Sequence, residues 1–173
     1  MACSYTLSGL TRDCDANAGG VKRVLIAPYE DVASYAVDAD SGLVDTITMA
    51  TGKTFLEYWQ RKGVAHYDGT PSFNDAGDYV GEDGVLSLSF GHMNVTKRTE
   101  VEALSKQDLM VLFQDANGHW WLLGADNPVN RNGGSTASGT AQTDFNGYVV
   151  ELHSSDNGSP LEVDDSIISG LLA

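Results

Sequence analysis

The sequence predicts a mainly β protein: an antiparallel β-sandwich or barrel with one flanking short α-helix, near residues 97–106, and long loops. Three observations carry that class. Nineteen glycines, with abundant Ser, Thr, Asp and Asn, supply turns throughout the 173 residues. Four prolines are too few for a proline-rich linker, and an apolar fraction of 42% still allows a chain of this length to bury a core. The stretch Val95 to Gly124, VTKRTEVEALSKQDLMVLFQDANGHWWLLG, reads as a short helix, a buried strand, a tight turn and a second strand.

Residues 1–20 are small and polar, end in Gly19-Gly20 and read as an N-terminal arm, leaving 21–173 as one β-sandwich domain. Val21 to Ala27 is a strand halted at Pro28, which cannot donate to a ladder. Ser34 to Asp38 and Val44 to Met49 are short strands around the turn Asp38 to Gly42. Thr54 to Val64 has Phe55, Tyr58 and Trp59 at helical spacing, but its aromatic content in this context favours a strand. Ala65 to Gly84 carries five acids and no Lys or Arg and reads as a long loop, a length that is usually functional. Val85 to Asn94 returns as a strand with Leu86, Leu88 and Phe90 on one face. Lys97 to Lys106 is the helix, with Val101 and Leu104 as its stripe. Asp126 to Asp144 reads as a loop, and Gly147 to His153 as a strand entered through Asn146-Gly147. Asp165 to Leu172 suits a short terminal helix capped by Asp164 or Asp165.

Within the Val95–Gly124 stretch, Asn117-Gly118 predicts a two-residue type I′ hairpin, which needs positive φ at both central residues. That loop sets Gln114 opposite Trp121 and Phe113 opposite Leu122. One face then carries Val111, Phe113, Trp120 and Leu122, and the other Leu112, Trp121 and Leu123. A half-exposed pair would alternate apolar with polar. This pair is apolar on both sides, so the second side requires a helix, another sheet or a neighbouring subunit as cover.

The net charge of −14 argues against groove-reading nucleic-acid binding and against adsorption to an anionic membrane. No apolar run approaches the roughly 18–20 residues that span a bilayer. MACSYTLSGL lacks the basic and apolar regions of a signal peptide, which predicts assembly in a cytosol. Cys3 and Cys14 are too few for a disulfide framework, and reduced thiols are expected.

Short motifs give no chemistry. Thr51-Gly-Lys-Thr54 lacks the upstream glycine of a phosphate loop, since position 47 is Ile. Asp13-x-Asp15-x-Asn17-x-Gly19 opens like a calcium loop but has Val24 where a bidentate Glu belongs, and Asp38-x-Asp40 fails likewise at Met49. His66, His92, His119 and His153 are scattered, and no GxSxG occurs. The expectation is a non-enzyme without cofactor or metal.

Charge is segregated. Asn132 to Ala173 holds six acids, and Gly63 to Thr96 holds five, with no Lys or Arg in either. Basic residues cluster at Lys22-Arg23, Arg61-Lys62 and Lys97-Arg98. Such a layout suits complementary patches on copies of one chain as well as it suits plain solubility.

The segment Asp115 to Gly124, followed by Ser138-Gly-Thr-Ala141 and Asp144-Phe-Asn-Gly-Tyr148, resembles the tail tube proteins of tailed bacteriophages, especially those infecting Bacteroidetes. Cys14-Asp15 with Gly19 to Val24 is similar to the start of such chains. The likeness spans most of the chain loosely and residues 95–150 best. His119 stands where a lysine is more usual, and Asp126-Asn127-Pro128 replaces a more glycine-rich loop.

The resemblance implies a virion protein, assembled in the bacterial host cytoplasm, whose hexameric rings join their inner sheets and stack into a tube that conducts DNA. Its partners would be copies of itself, other tail proteins and genomic DNA passing without specific binding, with no membrane. Candidate contacts between copies are the acids Asp68, Asp75, Asp78, Glu82 and Asp83 against Lys22, Arg23, Lys97 and Arg98. The alternatives are another neck or baseplate protein, or a β-sandwich carbohydrate-binding module using Trp59, Trp120 or Trp121 as a stacking platform.

Overall fold

Val24 and Ile26 alternate with Leu25 and Ala27 along β1 (Val21–Pro28), and all four are buried. A strand buried on both faces must lie in a middle layer. The computed structural model, which describes residues 7–11, 14 and 16–172, places it there. Cys3 and the Asp13 and Asp15 positions fall outside the described residues.

After β1 come a 3₁₀ turn (Tyr29–Asp31), β2 (Val32–Val37), β3 (Val44–Met49) and β4 (Leu56–Trp59). Then follow β5 (His66–Phe73), β6 (Tyr79–Gly91), helix α1 (Val95–Leu104), β7 (Leu109–Asp115) and β8 (Trp120–Leu123). The chain ends with β9 (Asn130–Ala137), β10 (Gly147–Asp156), β11 (Leu161–Val163) and helix α2 (Asp165–Leu171). One sheet has seven strands in the order β2-β3-β11-β8-β7-β1-β4, and the other has four, β5-β6-β10-β9. The class read from the sequence holds: mainly β, two sheets and short helices, with no closed barrel among the described residues.

Two apolar clusters account for this layering. Val24, Ile26, Val111, Phe113 and Leu123 of the large sheet meet Leu86, Leu88, Val150 and Leu152 of the small one, with Val101 and Leu104 of α1 closing the side. On the opposite face, Leu25, Leu112, Trp120 and Leu122 pack with Phe55 and with Ile168 and Leu171 of α2. Trp120 Nε1 donates to Asp165 Oδ1 at 3.0 Å, which ties the buried indole to the start of α2. Asp164 caps that helix, its carboxylate accepting from the Ser166 amide. The cover demanded by the two-sided hairpin therefore comes from the chain's own α2 and Phe55, and no neighbouring subunit is needed for it.

The β7–β8 turn differs from the type I′ expectation. Gly118 has φ +107, but Asn117 is not in the positive region. Asp115 Oδ1 instead accepts from the amides of Asn117, Gly118 and His119, and the Asp115 amide donates to His119 O. The result is a three-residue loop with glycine in the last position. Its register pairs Phe113 with Trp121 and Gln114 with Trp120. A one-residue slip turns a whole strand over. Trp121 and Leu123 therefore join Val111 and Phe113, while Trp120 and Leu122 join Leu112. Six of the seven hairpin residues expected in the core are buried, and Trp121 is half-buried.

Two expected loops are strands. Ala65 to Gly84 forms β5, a turn at Asn74–Asp78 and the first half of β6, in antiparallel register. Pro71 is tolerated because β5 is an edge strand, one side of which carries no ladder. Asp126 to Asp144 contains β9, a polar edge strand paired only with β10. Helix α1 begins two residues earlier than expected because Asn94 Oδ1 accepts from the Lys97 amide. The loop after β8 is held from within by Asp156, which is 9% exposed and accepts from the amides of Gly124, Asp126 and Asn127.

Two outcomes follow. Gly118→Val should lower stability by about 1–3 kcal/mol, since a β-branched residue is strained at that φ, whereas Asn117→Ala should cost less than about 1 kcal/mol. Equal losses in thermal melts would contradict the three-residue loop. Asp156→Ala orphans three amides at once and should cost about 3 kcal/mol by denaturant titration. A wild-type midpoint would remove its anchoring role.

Candidate assembly surfaces

The large sheet ends on β2 and β4, and the small sheet on β5 and β9. Sheet edges present unpaired backbone groups, and proteins usually blunt them with charge, proline or bulges. Strand β5 carries Asp68, Pro71 and a register shift at its end, and β9 carries Arg131 beside a shift. Strand β2 has register shifts but no charged residue in VASYAV. Strand β4, LEYW, pairs with β1 without a shift, has its one charge, Glu57, taken up by Arg23 of β1, and exposes Leu56 (53%) and Trp59 (67%). It is the least protected of the four.

Trp59 is held in place. It sits opposite Arg23 in the β1–β4 register, and the Arg23 guanidinium lies 4.9 Å from the Trp59 ring and 5.3 Å from that of Trp120. Arg23 Nε also donates to Glu57 Oε1 at 2.6 Å. Beside Trp59 runs a groove of about 580 Å³, lined by Val64, Phe90 and Phe145 together with Arg61 and Lys97. Its carboxylate, Asp144, is occupied by the amides of Ala141 and, to a lesser extent, Thr140, which hold it below the usual carboxylate range.

The candidate acids divide into two groups. Glu82 accepts from the Tyr67 hydroxyl at 3.1 Å and from Ser159 Oγ at 2.6 Å. Asp83 accepts from Ser72 and Ser155, and these hydrogen bonds lower its pKa, that of Ser72 most. Asp68 lies 3.3 Å from His66 Nε2. Those three belong to the body of the small sheet. Asp75 and Asp78 sit at the hairpin tip, where every residue from Phe73 to Val80 is exposed.

The basic candidates are largely engaged at home. Lys22 Nζ donates to Ala116 O at 2.5 Å, and Arg23 is held as described. Lys97 reaches the Gly91 carbonyl, and Arg98 pairs with Glu102 at 3.3 Å on the same helix. The structure therefore does not bring the five acids and four bases into one cluster. Arg61 and Lys62, absent from the expected contacts, have no side-chain hydrogen bond or ion pair among the described residues. Their signal in the sequence was an adjacent basic pair beside the aromatic Tyr58-Trp59. Arm residues 16–20 rest on the β7–β8 turn through Ala18 N and Asn17 Oδ1, both bonded to Asn117, while Leu7 and Leu10 are fully exposed.

Two tyrosines brace these surfaces. Burial, then the neighbouring Glu100 carboxylate, pushes the Tyr58 hydroxyl well up, and burial, then Glu82, does the same for Tyr67. A raised folded pKa means their contribution is complete below the unfolded value of about 10 and is lost as pH rises beyond it. For Asp83, with its folded value depressed, the contribution is present above about 3.9 and is lost as pH falls through the folded value. Melting temperature should thus fall on both sides, with Tyr67→Phe flattening the alkaline limb and Asp83→Asn the acid limb. Unchanged limbs in both variants would contradict these assignments.

No known protein family, curated protein or solved structure matches this chain.

Proposed function

We propose that the chain is a structural subunit that assembles with copies of itself, as the tube subunit of a phage tail does, and that it performs no catalysis. The observation that carries this reading is the β4 edge. An unshifted edge strand whose one charge, Glu57, is paired with Arg23 and which exposes 67% of a tryptophan is a liability in a protein of net charge −14, unless another chain pairs with it. Strand β2, at the far end of the same sheet, is the complementary free edge. Pairing β4 of one copy with β2 of the next is a heterologous contact, which closes into a ring when the rotation allows. The ring would enclose a lumen, and the chain's negative charge would keep DNA from adhering over about a Debye length (~8 Å). In this reading the subunit works in the virion, after assembly in the bacterial host cytoplasm, and meets other tail proteins at the ends of the tube.

A second reading, a carbohydrate-binding module, has one observation in its favour. Trp59 is exposed beside a groove, whereas Trp120 is 1% exposed and Trp121 half-buried. Arg23 already occupies part of its surroundings, which weakens it as a stacking platform.

Negative-stain microscopy of the concentrated protein should show rings or hollow tubes, and Leu56→Lys with Trp59→Lys should abolish them while the circular dichroism spectrum is retained. A parent that stays monomeric, with tryptophan emission that shifts on adding polysaccharide, would overturn the tube reading in favour of the binding module.

A further inference from the structure

Strand β6 runs from Tyr79 to Gly91, and two unlike features stand at its ends. At its start is the hairpin tip. Phe73 and Tyr79 face each other across the strands, edge to face at 5.9 Å, and are 62% and 50% exposed. Val80 adds a third exposed apolar residue, at 54%. Asp75 and Asp78 make the tip acidic.

The tip is built to hold one shape. Asn74 Oδ1 accepts from the amides of Ala76 and Asp78, the Asn74 amide donates to Asp78 O, and Gly77 takes φ +87. This is the turn chemistry that Asp115 uses in the core hairpin. A surface ordered before contact loses little entropy on contact, and rigid aromatics are the usual anchors of interfaces. Among the described residues, no hydrogen bond or further aromatic contact engages the Phe73 and Tyr79 side chains.

At the other end of β6, Phe90 and Gly91 enter the groove described above, where Trp59, Val64 and Phe145 stand beside Arg61 and Lys97. Knob and groove match in kind: the tip combines aromatic residues with two acids, and the groove combines aromatic residues with Arg61 and Lys97, its one carboxylate, Asp144, being taken up by the amides of Thr140 and Ala141. Thirteen residues of strand separate them by roughly 40 Å. A knob and a groove so far apart along one straight element cannot meet within one molecule.

We propose that the Phe73–Val80 tip of one copy seats in the groove between Trp59, Val64 and Phe145 of a second copy, with Asp75 and Asp78 against Arg61 and Lys97. The occupant of the groove is thus another copy of this chain. The contact is head to tail and does not close on itself, so it propagates along the direction of β6. It rests on the tube reading and deepens it: β4 and β2 join copies sideways, while knob and groove stack them. The arm's exposed Leu7 and Leu10 take no part.

A pair of disabled variants tests it. Phe73→Ser with Tyr79→Ser removes the knob, and Arg61→Glu with Val64→Asp spoils the groove. All four positions lie at exposed sites, so both variants should keep the parent's circular dichroism and melting. In sedimentation velocity and negative stain the parent should stack, whereas each variant alone should stop at a single layer, its stacking weakened at least tenfold. Mixed together, the two should form two-layer complexes containing one layer of each, because each supplies the half that the other lacks.

Stacking of either variant at the parent's strength would overturn the proposal, as would a mixture that gains nothing over its components. Failure of the tube reading looks different. A parent with neither rings nor stacks overturns both, whereas a parent whose rings survive and whose variants still stack overturns the knob and groove alone.

Discussion

Asp115 sets the register on which both halves of the core depend. One carboxylate oxygen gathers the amides of Asn117, Gly118 and His119, and this fixes a three-residue loop where a two-residue one would also have been chemically reasonable. The difference is one residue of register, which in a β pair is the difference between faces. With this loop, Trp120 enters the cluster beneath α2, and Trp121 leans on the cluster between the sheets. The opposite assignment would place Trp121, a half-buried indole beside the arm and Tyr67, into the space now filled by the fully enclosed Trp120. It would also separate Trp120 from Asp165, the acceptor for its buried N–H. A buried indole N–H without a partner is costly, so loop, register and helix position are coupled.

From that register follows the layered build. The large sheet is apolar on both faces, and its two covers differ in kind. The small sheet spans the first face with long strands, because β6 and β10 supply ten paired positions between them. The second face is closed by only seven residues of helix and by Phe55, whose amide donates to the Leu171 carbonyl. That bond stitches the chain's end to the segment before β4, so the least protected edge strand is tied to the final turn of α2. Disturbance at the terminal helix would therefore reach the β4 edge through two residues.

Much of the fold was legible in the sequence, for identifiable reasons. Strands whose apolar residues alternate or run together, such as β1, β3, β7 and β10, carry a burial signal that survives any uncertainty about partners. The cap at Asp164 was legible because capping is local chemistry. Strand β9, Asn-Arg-Asn-Gly-Gly-Ser-Thr-Ala, was not, because its only structural duty is to bond to β10, and its composition is that of a turn. Strand β5 was hidden by Gly69 and Pro71, which an edge tolerates and a central strand does not. Strand β11 spans three residues, and its parallel pairing with β3 leaves no periodic trace. For the candidate surfaces, charge runs located the acidic stretch but not its shape. The aromatic tip, Phe73 with Tyr79, appears in the sequence as two aromatics six apart and becomes a cross-strand pair only once the Asn74–Asp78 turn is known.

The acidic stretch also shows why a charge count is a poor guide to a surface. Of the five acids between Gly63 and Thr96, Glu82 and Asp83 are engaged by hydroxyls: Ser72 ties β5 to β6, and Ser155 and Ser159 bind the hairpin to the β10–β11 region. Protonating Asp83, whose pKa the Ser72 and Ser155 hydroxyls lower, loosens the fold. Among the described residues the Asp78 carboxylate bonds only within its own turn, to Asn74, and both Asp78 and Asp75 are exposed. Screening these alters only what the tip presents to another molecule. Low pH therefore acts on the fold through Asp83, whereas salt screens tip charges whose hydrogen bonds stay within their own turn. A response to salt at neutral pH, with melting temperature unchanged, isolates the surface contribution from the structural one.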